Sequence, residues 1–463
     1  MTANSKPETR NPKLFYGWAI VAVACASAYA EVAVFNSVLS IFMRPLGEEF
    51  GWSRSSVSLA ITLGSILSGV LAPFTGRLVD RWGARLVLVV AGAIMTLCLF
   101  SLASVGSLWH FYLAFALGRA MTSGAISLAS SVAVSNWFVR RRGRALALVQ
   151  VTSRGGTATL PALTLTLAQA FGWRAAWAAL GAIVLAVAIL PAALFVRRRP
   201  EDLGLLPDGD SPSALAGSLG RPPGDAPSPP PYQGGVRGGS PDQGGVRGGP
   251  SAARRPEYAW TLDEAWRTAA YRILVPVTSL GSMVVGAINL HLVPLYLDRG
   301  IPAAAAVGAL STTAVVAVAA ALVWGLAAER LPVRYAFFGA LLSGAAGVGL
   351  LLLTRDVTLA FLSAAVYGLA FGSMRPLINL AWADYFGRLT LGRIQGSAYL
   401  LEMVFSAAGP YLAGLAFDLA GSYDPALWLF LVLSLVAAVA VLFITPPHPP
   451  NRVPAGRDHR PPP

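Results

Sequence analysis

Six side chains can hold charge or move a proton and yet lie inside long apolar stretches: Glu31, Arg119, Arg154, Arg375, Glu402 and His291. A charge in such surroundings costs about 3 kcal/mol or more and is retained where it faces a cavity or a partner. Arginine does not readily give up its proton, so the three guanidinium groups are standing positive charges whose forked N–H donors suit a carboxylate. The two glutamates and the imidazole can take up and release protons, which makes Glu402, Glu31 and His291 the candidates for proton coupling. With His291 neutral, the interior holds one excess positive charge. A bound monoanion would balance it.

Helical spacing groups other polar residues around these charges. Gln150, Arg154 and Thr157 fall at i, i+4 and i+7 on one face. Gln395, Tyr399, Glu402 and Ser406 form a second stripe, and Arg375, Asn379 and Trp382 a third, with Pro376 expected to kink it and free carbonyls. Ser27 and Glu31 lie beside Tyr29 and Asn36 on a neighbouring face. The binding candidates are therefore Arg154, Arg375, Glu402, Tyr399, Gln150, Asn379, Arg119 and Tyr29, with Arg154 and Glu402 expected to face each other. Two alternatives stay open: Arg119 pairs with Glu31 or meets the ligand, and His291, just before Pro294, gates or carries a proton. The small residues from Ser123 to Ser131 are read as ordinary close helix packing.

The elements that must position these groups are apolar helices. The chain is 463 residues long, 55% hydrophobic and 12% charged, with a mean hydropathy of +0.60, more apolar than the roughly 45–50% of soluble domains. Runs of about 20 apolar residues, each able to cross about 30 Å of hydrocarbon, are expected at Tyr16 to Phe42, Ser56 to Phe74, Leu86 to Val105, Trp109 to Val134, Ala145 to Ala170 and Trp173 to Val196. Six more are expected at Tyr271 to Leu297, Ala303 to Ala327, Arg334 to Leu353, Thr358 to Trp382, Ile394 to Phe417 and Ala426 to Ile444. The fold class is thus an all-α membrane protein of twelve transmembrane helices in two six-helix halves. No cleaved signal is read at the start.

Arginines concentrate in alternate loops: Arg77, Arg81 and Arg85, then Arg140 to Arg142 with Arg144, then Arg197 to Arg199. By the positive-inside bias that face is cytoplasmic, and both termini with it, in a multi-pass protein of the cell membrane. The net charge of +13 then reflects topology and lipid contact, not nucleic-acid binding. The expected organisation is a tail at 1–15, a helical half at 16–196, a linker at 197–256, an interfacial helix at 257–270, a second half at 271–444 and a tail at 445–463. The linker is rich in Pro, Gly and Ser and carries a short direct repeat, Gln233 to Gly239 and again Gln243 to Gly249, a composition that cannot bury a core. Thr261 and Glu264 have capping-box spacing. Cys25 and Cys98 lack metal-ligand spacing, so neither metal nor cofactor is expected. The only lysines are Lys6 and Lys13, and no phosphate-binding Gly-rich loop with Lys exists to couple the chain to ATP.

An internal repeat relates the halves. Gly76, Asp80, Arg81 and Arg85 align without gaps on Gly325, Glu329, Arg330 and Arg334, and at the same offset Gly143-Arg144 aligns on Gly392-Arg393. Parallel repeats with a solute site at their interface are a known transporter plan. On these residues the chain resembles the major facilitator superfamily, whose signature loop Gly76 to Arg85 matches, with Gly83 among its glycines. Within it the chain is most similar to the monocarboxylate transporter-like group that includes oxalate/formate antiporters, through Tyr16-Gly17-Trp18, Phe50 to Arg54, Trp137-Phe138 with Arg142-Gly143, Asn289 to His291 and Tyr385 to Gly387. It departs from that group in having no charge within Ala303 to Ala327 and Glu402 where a basic residue is usual, and Arg119 stands one residue further from Gly124 than the superfamily pattern.

The resemblance implies secondary transport of a small organic anion, a monocarboxylate, by alternating access with protons or a counter-anion as coupling partner, and no enzymatic activity. It also implies a conformational latch at Gly76, Asp80, Arg81, Gly83, Arg85, Glu329, Arg330 and Arg334. The rival readings are efflux of amphipathic drug-like compounds by the same fold and a membrane sensor that binds without transport.

Overall fold

The computed structural model describes residues 15–138, 141–206, 208, 260–387 and 391–447, with the side chains of 329 and 391–393 outside that description. The linker repeat, most of the linker and nearly all of both expected tails therefore lie outside the described residues. Twelve long helical segments succeed one another, and no strand occurs among the described residues.

Helix one is split: Gly17–Ala30 and Asn36–Phe50 are α-helical, and between them Glu31–Val34 tightens to a 3-10 turn before Phe35 extends with ψ 162°. Helix two is Arg54–Trp82, helix three Ala84–Ala103, and helix four Leu108–Trp137, interrupted by a π turn at Thr122–Ile126. Helix five is Arg142–Phe171 and helix six Trp173–Phe195. A short helix, Leu262–Arg267, leads into helix seven, Ala269–Asp298. Helices eight to twelve are Ala303–Arg330, Val333–Leu353, Val357–Phe386, Leu391–Ala420 and Asp424–Leu442. The Thr261 hydroxyl accepts from the Glu264 N–H and the Glu264 carboxylate accepts from the Thr261 N–H, so the expected capping box is formed.

Eleven of these segments are long and apolar enough to cross a membrane. Helix five has the length, 30 residues or about 45 Å at 1.5 Å per residue, but not the apolarity, because its polar face lines a cavity. Helix two runs eight residues beyond the expected Phe74, so most of the signature loop is the last turns of a helix. The extra residue between Arg119 and Gly124 has a structural outlet in the π turn, which takes one more residue per turn than an α-helix and recurs at functional sites. Gly124 meets helix two so closely that a Cβ there would lie 2.9 Å from the Ser68 carbonyl oxygen.

The two halves meet along symmetric seams. Helix two packs on helix eleven, its repeat mate eight packs on five, and the second piece of helix one packs on helix seven. Within the N-terminal half the core is dense with aromatics, Phe42 stacking on Trp177 at 3.9 Å between centroids. Since lipid is as apolar as these side chains, such packing holds by van der Waals fit and not by exclusion of water.

Candidate functional site

A cavity of about 450 Å³ separates the halves. Its wall runs from the break in helix one, at Glu31 and Phe35 to Ser37, down helix four from Arg119 to Ser131 and along helix five from Thr157 back to Leu146. Those stretches descend from mid-helix toward Trp137 and Arg142, so the cavity extends toward the end that carries the arginine-rich loops. Asn289, Phe371, Arg375, Tyr399 and Ser406 supply the wall of the other half.

The expected charges converge here, with different partners from those expected. Arg154 lies over the Phe371 ring at 4.3 Å, and no ion pair joins it to Glu402 among the described residues. Glu402 is 4% exposed and stands 3.9 Å from Arg375 of its own half, too long for a hydrogen bond. Arg375 also lies 5.8 Å from the Tyr399 ring centroid. Arg119 and Glu31 line one cavity but form no ion pair with each other. Arg119 donates to the Val34 carbonyl oxygen at 3.1 Å and makes a long contact to Ser65 at 3.4 Å. The reason is the break in helix one: the Val38 N–H, which a continuous helix would aim at Val34, bonds Phe35 instead. The carbonyl is left free for the guanidinium. The Glu31 carboxylate, in a residue 7% exposed, makes no hydrogen bond or ion pair among the described residues.

Gln150 and Tyr399 line the cavity as expected. Tyr29 does not; its hydroxyl meets Thr159 of helix five at 3.0 Å. Asn379 accepts from Gln395 at 2.7 Å between helices ten and eleven, nearer the arginine-rich end and off the cavity wall. Trp382, expected to continue that stripe, is fully buried among Tyr271 and Phe386. The serines between Ser123 and Ser131 are more than packing: Ser123, Ser127, Ser130 and Ser131 all face the cavity. Their four- and three-residue spacings were legible as a polar stripe.

Asp80, Arg81, Arg85 and Arg330 are exposed at the arginine-rich end. Arg198 donates to the Asp80 carbonyl and Arg85 to the Ala193 carbonyl, contacts within the N-terminal half. Arg334 reaches the Ile444 carbonyl within the C-terminal half. Gly76 and Gly83 lie in and just after the last turns of helix two; the Glu329 side chain lies outside the described residues.

At the opposite end the halves are bolted together around Arg54, Asp298 and Asp418, none of them among the candidate site residues. Arg54, at the start of helix two, forks onto Asp298 at 2.6 and 2.7 Å, bonds the Tyr423 hydroxyl at 2.5 Å and lies 3.7 Å above the Phe417 ring centroid. The Asp418 carboxylate accepts from the backbone N–H groups of Arg54 and Ser55, at 3.0 and 2.9 Å, where a helix N-terminus favours negative charge. His291 is not in the cavity but in this bolt: Nε2 lies 2.8 Å from the Pro410 carbonyl and Nδ1 2.8 Å from the Tyr423 hydroxyl. A carbonyl only accepts, so the network assigns the proton to Nε2 and leaves Nδ1 to accept from Tyr423. His291 thus links the seam and does not line the cavity. A Cβ on Gly414 would lie 2.7 Å from the Ser55 nitrogen, which shows how closely the backbones approach. The signal that could have found the bolt is one basic and two acidic residues, Arg54, Asp298 and Asp418, at helix ends on one side of the membrane.

Comparison with known proteins agrees with this architecture. The family model described as Major Facilitator Superfamily matches residues 21–315 and again 274–463. Monocarboxylate transporter 11 of Homo sapiens is 28% identical over 427 residues, 88% of this chain and 78% of that protein. A multi-drug resistance efflux pump PmrA homolog of Lactococcus lactis is 28% identical over 190 residues, 41% of this chain and 45% of its own. The crystal structure of the nucleoside transporter NupG superposes with a TM-score of 0.68 at 12% identity, covering 91% of this chain and 99% of that one, a likeness of fold.

Proposed function

Because the chain belongs to the Major Facilitator Superfamily, we propose that this multi-pass membrane transporter moves a small organic anion of the monocarboxylate class by alternating access. The observation that carries this reading is the cavity itself: three guanidinium groups, Arg119, Arg154 and Arg375, approach it from both halves, and among the described residues only Arg375 has a carboxylate within 4 Å. Unpaired charge in a membrane interior calls for a counter-ion. Alignment with a monocarboxylate transporter over most of the chain supports the same class. With the arginine-rich loops cytoplasmic, as the charge bias indicates, the cavity faces the cytoplasm and the Arg54 bolt closes the outside. The termini and the 197–256 linker are then cytoplasmic as well.

Proton symport or exchange against a second anion would drive such transport, with Glu402 and Glu31 as the groups able to neutralise. The rival is efflux of amphipathic compounds, favoured by Phe35, Phe371 and Tyr399 on the cavity wall and by the partial likeness to an efflux pump. Uptake assays separate the two: labelled monocarboxylates enter proteoliposomes under the first, whereas only cationic or neutral amphipaths move under the second.

In this reading the exposed signature loops are latches disengaged in the inward-open state. Asp80→Arg is expected to slow transport about tenfold, while equilibrium binding of the solute stays within about twofold, because the site is distant from the cavity and a latch biases conformations instead of touching ligand. Loss of binding in a well-folded variant would count against the latch.

A further inference from the structure

Beside the main cavity lies an alcove of about 130 Å³ between helices two and eleven. Arg119, Ser123, Arg375, Tyr399 and Ser406 form a threshold that lines both spaces. Behind it stand Ser65 and Ser68 of helix two, Ser282 of helix seven, and Glu402 with Met403 of helix eleven. Five serines, Tyr399 and two guanidinium groups, one from each half, thus line a space in the interior of an apolar bundle, where polar groups need partners. The contacts toward the alcove are loose, Arg119 reaching Ser65 at 3.4 Å and Arg375 reaching Glu402 at 3.9 Å, while the other arm of Arg119 stays on the Val34 carbonyl at 3.1 Å. The Arg375 side chain is 58% exposed, whereas that of Glu402 is buried in the wall.

The donors decide the ligand chemistry. A cation entering the alcove would meet two guanidinium groups at once, and an apolar group would strip water from the serines without replacing it. An anionic head the size of a carboxylate meets donors on every side except those of Glu402 and Met403. We propose, resting on the organic-anion reading above, that the alcove seats the carboxylate head of the solute, which bridges Arg119 of the N-terminal half and Arg375 of the C-terminal half while the body of the solute lies in the main cavity. Arg375 then exchanges Glu402 for the solute. A ligand held by one arginine from each half binds best when the halves approach, so its binding favours closure of the open end.

The test measures thermal stabilisation of the purified full-length chain by sodium acetate, propionate and benzoate, with sodium chloride at equal ionic strength as the inorganic arm. Filling the alcove with Ser65→Leu is expected to abolish stabilisation by all three carboxylates. The milder Ser282→Ala is expected to weaken all three by the same severalfold factor, whereas Ser127→Leu, on the main cavity wall, weakens benzoate far more than acetate. Wild-type carboxylate binding in both Ser65→Leu and Ser282→Ala, with loss in Arg154→Gln, would overturn the alcove and leave the anion reading standing. Chloride binding that disappears in Ser65→Leu while carboxylates bind normally would make the alcove an inorganic-anion site and overturn it too. If no carboxylate stabilises the wild type, both readings fall together.

Discussion

Arg375→Gln and Arg154→Gln, each reconstituted into proteoliposomes with an imposed pH gradient, are expected to take up labelled monocarboxylate at least about tenfold more slowly than wild type. A hydrogen bond to a charged group contributes about 1.5–3 kcal/mol, and about 1.4 kcal/mol is a factor of ten in affinity. Gln keeps a polar head with N–H donors but is shorter and removes the charge that attracts the anion. The two replacements differ in what they leave behind. Arg375→Gln leaves Glu402 without its nearest cation at 3.9 Å, whereas Arg154→Gln removes a group held only over the Phe371 ring. Glu402→Gln should retain binding and exchange while losing the response to the pH gradient if Glu402 is the titrating group. If both arginine variants transport monocarboxylates normally, or wild type carries only neutral and cationic solutes, the anion assignment fails.

The second large effect is expected at the opposite end, where breaking the Arg54 bolt should open the closed seam. Asp298→Asn removes the charge that Arg54 grips through two N–H bonds, and its geometry is of the forked kind that makes such pairs strong. Both side chains retain some exposure, 19% and 33%, so the loss is discounted from a fully buried pair to about 1–2 kcal/mol. That shifts an open-to-closed ratio by roughly tenfold. Thr62 donates to the Ala407 carbonyl across this seam at 2.6 Å, so Thr62→Cys reports its opening. A membrane-impermeant thiol reagent should label it about tenfold faster when Asp298→Asn is added. Gly414→Val should do the same by another route, since its side chain has no room beside Ser55. Equal labelling in all three backgrounds would show that the seam does not move during the cycle.

The parts of this protein that depend on local sequence were legible without a structure. Length and hydropathy located the helices, because crossing hydrocarbon demands a long apolar helix whatever surrounds it. The repeat joining Gly76 and Arg85 to Gly325 and Arg334 showed two related halves, and the membrane's penalty on charge singled out Arg119, Arg154, Arg375 and Glu402. Helix five was found despite its polarity because its apolar runs flank the polar face at Gln150, Arg154 and Thr157. What only the tertiary structure decided was who meets whom. Arg119 turns to Val34 and not to Glu31 because helix one breaks at Phe35, a choice that no periodicity in Glu31 to Val34 announces. Glu402 finds Arg375 and not Arg154 because helices ten and eleven belong to one half. Arg54, Asp298, Asp418 and His291 assemble from helices two, seven and eleven, so their meeting depends on how the halves pack along the seam. Sequence spacing reports which face of one helix a residue occupies; the neighbour across the seam is set by how the two halves pack against each other.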